Sequence, residues 1–256
     1  MCRGCAVVTI MAVLLCTLSG EGHEVGTMSM KEILETFTGS YVEKTQDLTE
    51  MSFGFLIDEH EWWTVRIHSD RSFQIRQEKP AEPTFYFTTN SATLRDIASG
   101  NIRAPTAMAK ARASDRVPMD VAFIEGCELN KAFDLREFVF RYFSANKIEK
   151  IMLGKQFARI VHGGYAIPLA YAKGLRTAWY CIEKGMIINE DPHDQTNPFP
   201  TLVIATKGSG YAQIGGDVYQ FSEGEAYYIP KDVTHSFWTD REEGLEFIII
   251  MYGDGA

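Results

Sequence analysis

Residues 224–235 carry the clearest chemical signal in this chain. Gly224, Pro230 and His235 punctuate an otherwise strand-like run, Ala226-Tyr227-Tyr228-Ile229. The pattern reads as a strand, a proline turn and a histidine presented by the strand that follows. Such a layout aims one imidazole into the mouth of a barrel, and neutral imidazole is the commonest protein metal ligand. A lone ligand does not make a site, so the question is which side chains join His235. His60, His68 and His162 have no partner at ligand spacing and read as surface or structural residues. His193 lies in an acidic loop beside Asp191 and Asp194, where its plainest reading is a solvated histidine. His235 itself could equally be a satisfied barrel histidine resting on Phe237 or Trp238.

The elements that must position these groups are strands. From residue 157 onward, apolar and β-branched runs recur between Gly163-Gly164, Gly174, Gly185, Gly208-Ser209-Gly210, Gly215-Gly216 and Gly224. Short strands at even spacing imply a sandwich or barrel. Asp217, just after Gly215-Gly216, reads as a hairpin-turn residue. The run 247–252 reads as a fully buried strand. Aromatic residues are dense in this half, and most must be core by number alone. Tyr227 and Tyr228 point to opposite faces, so only one of them can line an interior.

The Gly224, Pro230 and His235 spacing resembles the later motif of the cupin family, a small antiparallel jelly-roll barrel. Asp232 stands where the family has a turn glycine, and Asp tolerates the left-handed backbone such a turn needs. Thr239 stands where the family has asparagine. The resemblance implies an earlier motif with two histidines and a glutamate. Counting forward from Gly185, the histidine positions fall on Asp191 and His193. Counting back from Gly208, they fall on Gln195 and Asn197, and the glutamate position falls on Thr201. The two counts disagree because the segment is too long, and Pro192, Pro198 and Pro200 mark it as a bulge. The forward count implies a metal set of Asp191, His193 and His235, suited to Fe, Zn or Mn with open positions. The backward count implies a hydrogen-bonding pocket of Gln195, Asn197 and Thr201 around one histidine. Tyr228 and Trp238 are the aromatic candidates for lining that pocket.

The first half reads as α+β. Residues 30–42 have helical spacing, with Ile33, Leu34, Phe37 and Tyr41 on one face. Strand-like runs follow at 51–58, 63–67, 73–76 and 84–89. Asn90 or Ser91 can cap a short helix closed by Gly100, and a second helix of small residues covers 105–113. Thr93-Leu94-Arg95-Asp96-Ile97-Ala98-Ser99-Gly100-Asn101-Ile102-Arg103-Ala104-Pro105, within a region spanning 30 to 125, resembles the sterol carrier protein 2 family. That resemblance implies an apolar tunnel between sheet and helices for a lipid-like ligand, with Met108 on its wall. The small residues Ala104, Ala107, Ala109 and Ala111 would leave room for one. From 133 to 157 the pattern is helical again, with Leu135, Phe138, Val139, Tyr142 and Phe143 on one stripe, then Ile148, Ile151 and Met152.

The expected organisation is therefore a sterol-carrier-like α+β domain at 28–126, a helical connector at 127–160 and a cupin barrel at 161–256. Residues 1–27 stand apart. Arg3 and the apolar run 6–15, ending in small residues, read as a secretory leader, which would mean export. If translation starts at Met28 or Met30, they are a non-native extension and the protein is cytoplasmic. No integral membrane span is expected in the mature chain. A net charge of -9 argues against a nucleic-acid partner. Cys127 and Cys181, the two cysteines of the body, form no disulfide framework or zinc pattern. The first functional expectation is binding of a hydrophobic small molecule, with the barrel as a second binding or sensing module. The alternative is a metal-dependent oxygenase, isomerase or lyase acting on an apolar substrate. The barrel could also pair into a homodimer through an edge strand.

Overall fold

The computed structural model describes residues 28–131, 133–144 and 148–256, and the expected leader at 1–27 lies outside them. The first helix, α1 (Met30–Lys44), begins at a capping box. Ser29 accepts from the Glu32 main-chain N–H while Glu32 accepts from the Ser29 N–H. A mixed sheet follows, made of β1 (Met51–Ile57), β2 (Glu61–Ile67), β3 (Phe73–Arg76), β4 (Phe85–Thr89) and β5 (Met119–Phe123). Its order is β3-β2-β1-β4-β5, with β1 and β4 parallel and the other pairs antiparallel. Between β4 and β5 lie α2 (Ser91–Ser99) and α3 (Ala104–Ala107). Asn90 caps α2 through the Thr93 N–H, and Gly100 closes it with a left-handed φ of 77°. The helix expected over 105–113 stops after one turn.

α4 (Leu135–Tyr142) belongs to this first half, not to a free connector. Its Phe138, Val139 and Tyr142 are buried in the same core as Phe37, Phe53, Phe55, Phe85 and Phe87. Rings pack edge to face across the core: Phe53 to Phe138 at 5.2 Å, Phe53 to Tyr142 at 5.1 Å, Phe87 to Phe143 at 5.1 Å. The Tyr142 hydroxyl shares a 2.8 Å hydrogen bond with Thr38, which satisfies both buried groups. The sheet face that a lipid tunnel would follow is occupied by these rings. The apolar stripe does not continue past α4: Ile148 is 87% exposed and Met152 45%.

The second half is all strand: β6 (Arg159–Val161), β7 (Gly164–Ala172), β8 (Leu175–Ile182), β9 (Ile187–Ile188), β10 (Thr201–Ile214), β11 (Asp217–Ser222), β12 (Ala226–Ile229), β13 (His235–Trp238) and β14 (Leu245–Tyr252). The long strand β10 belongs to two sheets. Its first part pairs with β12 and β14, and its second part with β11 and β13. The corner is made at Gly208, which read as a break between strands. A bulge between Ala205 and Lys207 precedes it, φ there is 76°, and a Cβ would run into the Gly244 carbonyl. Gly215-Gly216 forms the two-residue hairpin loop, and Asp217, which read as a turn residue, is the first residue of β11, paired with Ile214. Joined through β10, the strands form one nine-stranded sheet curled around a common core.

One end of this barrel is plugged and the other is open. Phe221, Phe237 and Phe247 are fully buried, with Phe237 and Phe247 5.2 Å apart. Side chains two residues further along the same faces, His235 on β13 and Ile249 on β14, stand where the plug ends. β14 alternates buried and half-buried positions, so it is not the strand buried on both faces that its composition implied. The first half lies over the open end. Arg159 donates to the Ala107 and Ala109 carbonyls at 3.2 and 2.7 Å, and Arg103 makes a two-pronged pair with Glu149 and also bonds the Pro168 carbonyl. Tyr171 donates to Asp134 at 2.8 Å, and its ring stacks on Phe140.

Candidate functional site

The turn that ends β12 presents His235 as the sequence implied. Pro230 stops the strand, Asp232 adopts φ 62°, and His235 opens β13. His235 is buried, and burial pushes its imidazole pKa below the ordinary 6.5, with His162 nearby adding to the effect. The ring is therefore neutral at physiological pH. Its Nδ1 donates to the Val233 carbonyl at 3.0 Å, which leaves the Nε2 lone pair free to accept. Asn197 Nδ2 lies 3.5 Å from that nitrogen and also donates to Thr201 Oγ1 at 3.1 Å.

The long bulge between β9 and β10 decides which counted residues reach His235. Asp191 caps a single helical turn over Pro192–Asp194, and its own carboxylate accepts from the His193 N–H at 2.9 Å. The His193 N–H and ring, with Arg112 beside them, hold the Asp191 carboxyl down at about 2. The His193 side chain is 91% exposed. Asp191 and His193 thus face outward on the bulge, and the set Asp191, His193 and His235 is not assembled. Among the described residues, no three His, Cys, Asp or Glu side chains gather in a way that could hold a metal ion. The Asn197 amide stands nearest the His235 Nε2, with the Thr201 hydroxyl behind it, and His162 as one further imidazole does not complete an Fe, Zn or Mn centre among the described residues.

Gln195, Asn197 and Thr201 instead run along the barrel wall. The Gln195 and Asn197 carbonyls accept from the His235 and Asp232 main-chain N–H groups at 2.8 and 2.7 Å, so this segment acts as an irregular strand beside β13. The Gln195 side chain donates to the Asn189 carbonyl. Asn189, left-handed at φ 57°, receives nothing from His235 but donates to the His235 carbonyl at 3.3 Å. Tyr228 stands 58% exposed on the outer face, because Tyr227, its alternating neighbour, packs on Phe221. Trp238 stacks on Tyr211 at 5.6 Å and lies outside the cavity wall.

A cavity of about 500 Å³ opens above His235. Its floor holds His235, Asn197, Asn189 and His162. Its walls are Tyr180, Phe199, Ile249, Met251, Ala166 and Ala178. Its roof comes from the first half: Met108, Ala109, Lys110, Arg136 and Phe140. Met108 thus lines the barrel mouth while also packing against the first half's core. Burial pushes the Tyr180 phenol up to about 12, so it remains a neutral hydroxyl. His162, which sequence spacing left without a partner, reaches the cavity from the tight hairpin between β6 and β7. Its Nδ1 lies 3.5 Å from Asp194 Oδ2 without a hydrogen bond. Arg176 on β8 lies at the rim, its guanidinium over the Phe199 ring. Sequence reasoning did not find Arg176, Arg136 or Asn189. Their only signal was strand and helix alternation, which would have placed Arg176 on the face of Ala178 and Tyr180.

Cys127 and Cys181 are both free. No helix among the described residues is long and apolar enough to cross a membrane.

Residues 190–253 match the family described as AraC-like ligand binding domain, which has a cupin-type fold. That is less than half of the chain. No curated protein matches it. Solved structures with a similar fold include a cupin 2 conserved barrel domain protein from Salinispora arenicola, at 18% identity over 42% of this chain and 91% of that one, with a TM-score of 0.37. Another is the plu4264 protein from Photorhabdus luminescens, at 17% identity over 42% and 88%, with a TM-score of 0.36. A conserved SPY1581 protein of unknown function from Streptococcus pyogenes is similar at 17% identity over 37% and 78%, with a TM-score of 0.32.

Proposed function

We propose that the chain binds a small, mainly apolar molecule at the mouth of its barrel and serves as a ligand-binding or sensing protein. The observation that carries this reading is the 500 Å³ cavity, with apolar walls and a floor of two imidazoles and two amides. Its size and mixture of surfaces suit a small organic ligand, and few convergent polar groups are enough to orient one. The match of 190–253 to a ligand-binding family supports the same reading. The rings that cover the centre of the first half's sheet favour the shared mouth as the seat of an apolar ligand. A metal-dependent reaction has no support in the donor set around His235, and no step is derived for one.

The test uses the neutral fluorophore N-phenyl-naphthylamine. Its emission should rise on mixing with the full chain. Ala170 is exposed and lines the rim, so Ala170→Trp should block entry while leaving the core alone. Equal enhancement in the variant and the wild type would overturn the location of the site.

A further inference from the structure

The rim of the cavity carries positive charge against the trend of the whole chain, whose net charge is -9. Arg176 and Arg136 both line it, one from β8 of the barrel and one from α4 of the first half. Arg176 is fixed in place. Its Nη2 donates to the Gly255 carbonyl at 2.8 Å, and its guanidinium lies 5.4 Å above the Phe199 ring. Its Nε–H is buried with no hydrogen-bond partner among the described residues. The Nε edge is thus closed off from the cavity, and the Nη end of the guanidinium is the part that faces Gly255 and the rim. Arg136 is exposed, and its guanidinium lies 5.9 Å from the centre of the Tyr171 ring.

The acidic groups nearby are already engaged. Asp134 caps α4 through the Arg136 and Glu137 N–H groups with one oxygen and accepts from Tyr171 with the other. Asp120 pairs with Lys110 at 2.6 Å. Asp194 lies by His162 and Arg112. Burial lowers the Arg176 pKa and the charge of Arg136 adds to that lowering, while Tyr171 and Asp134 oppose it, so the two guanidinium groups act on each other unfavourably with Asp134 as a partial counter-charge. Asp134 offsets part of that repulsion, and an anion at the rim between the two guanidinium groups relieves the rest.

Resting on the cavity reading above, we propose that the ligand is a small carboxylic acid with an apolar body. Its carboxylate lies between Arg176 and Arg136, and its body enters the barrel against Tyr180, Ile249 and Met251. A planar carboxylate offers two acceptors to guanidinium donors, and the match is geometric as well as electrostatic. The ligand is then held by both halves at once.

Calorimetric titration of matched pairs tests this: decanoate against decanamide, and hydrocinnamate against hydrocinnamamide. The acid should bind about tenfold tighter than its amide. Arg176→Gln should erase that preference while amide binding stays in place, which also shows the variant folded. Should Arg176→Gln not fold, the exposed Arg136→Gln carries the same comparison and should shrink the preference. Amides binding as tightly as acids, or a preference that survives both substitutions, would overturn the proposal. If the amides and N-phenyl-naphthylamine bind but acids gain nothing, only the carboxylate assignment falls. If none of these probes binds, the cavity reading falls with it.

Discussion

The first half's sheet face and the barrel mouth were both plausible pockets. Rings cover the centre of the first, leaving a cleft of about 420 Å³ at its edge beside Tyr41, Phe85 and Phe138, while the second opens into a cavity of about 500 Å³. Across β1 and β4, Phe53, Phe55, Phe85 and Phe87 meet Phe138, Tyr142 and Phe143 from α4 and the residue after it, and the rings close the space. In the barrel, Phe221, Phe237 and Phe247 do the same at one end only. At the other end the inward positions change to Ala166, Ala178 and His235, and the interior opens. Whether a β face encloses a ligand is thus decided by the sizes of the residues two positions apart along each strand.

The largest expected effect belongs to the filled region. Phe53→Ala should cost about 3–5 kcal/mol, because it removes a ring that five others contact and leaves a cavity the core cannot close. Urea denaturation measures it. A loss well under 1 kcal/mol would mean that the face already contains space, and the contrast between the two regions would fail.

The next effect belongs to the open region. His235 is held below the ordinary pKa of 6.5 by burial. Once unfolded it protonates near 6.5, so below that pH the unfolded chain binds the extra proton. The contribution is therefore fully present above 6.5 and falls as pH drops from 6.5 toward the lower folded value. His235→Asn should flatten that slope in thermal unfolding between pH 7 and 5. An unchanged slope would show that His235 does not sit in the dry floor described.

The remaining effects should be small. His193→Ala should shift stability by less than about 0.5 kcal/mol, since its ring is in solvent. Dialysis against EDTA should leave the melting temperature unchanged, because Asp191, His193 and His235 do not converge. A drop of several degrees after chelation would revive the metal set and contradict the geometry of the bulge.

Much of the barrel's local chemistry was legible. The order strand, proline turn, histidine held, as did the left-handed Asp232, the Gly215-Gly216 hairpin and the Asn90 and Gly100 ends of α2. These are short-range features, where residue type and backbone conformation are tightly linked. The site was only half legible. Asp191 and His193 had the better metal chemistry, but Asp191 followed by Pro192 makes a helical cap that turns the carboxylate onto its own chain. Asn197, chemically plainer, lies beside His235, with Thr201 behind it accepting from its amide. Arg136, His162 and Arg176 come from three elements far apart in sequence, so no spacing could join them. The strand β5 went unseen because only Met119 at its start is buried, which leaves no alternation to read.

Hydrogen–deuterium exchange of the full chain, with and without bound N-phenyl-naphthylamine, tests the central contrast most directly. Protection is predicted at the mouth, in peptides covering 108–110, 136–140, 176–180 and 249–251. Protection confined to 53–57 and 85–87, with none at the mouth, would contradict it.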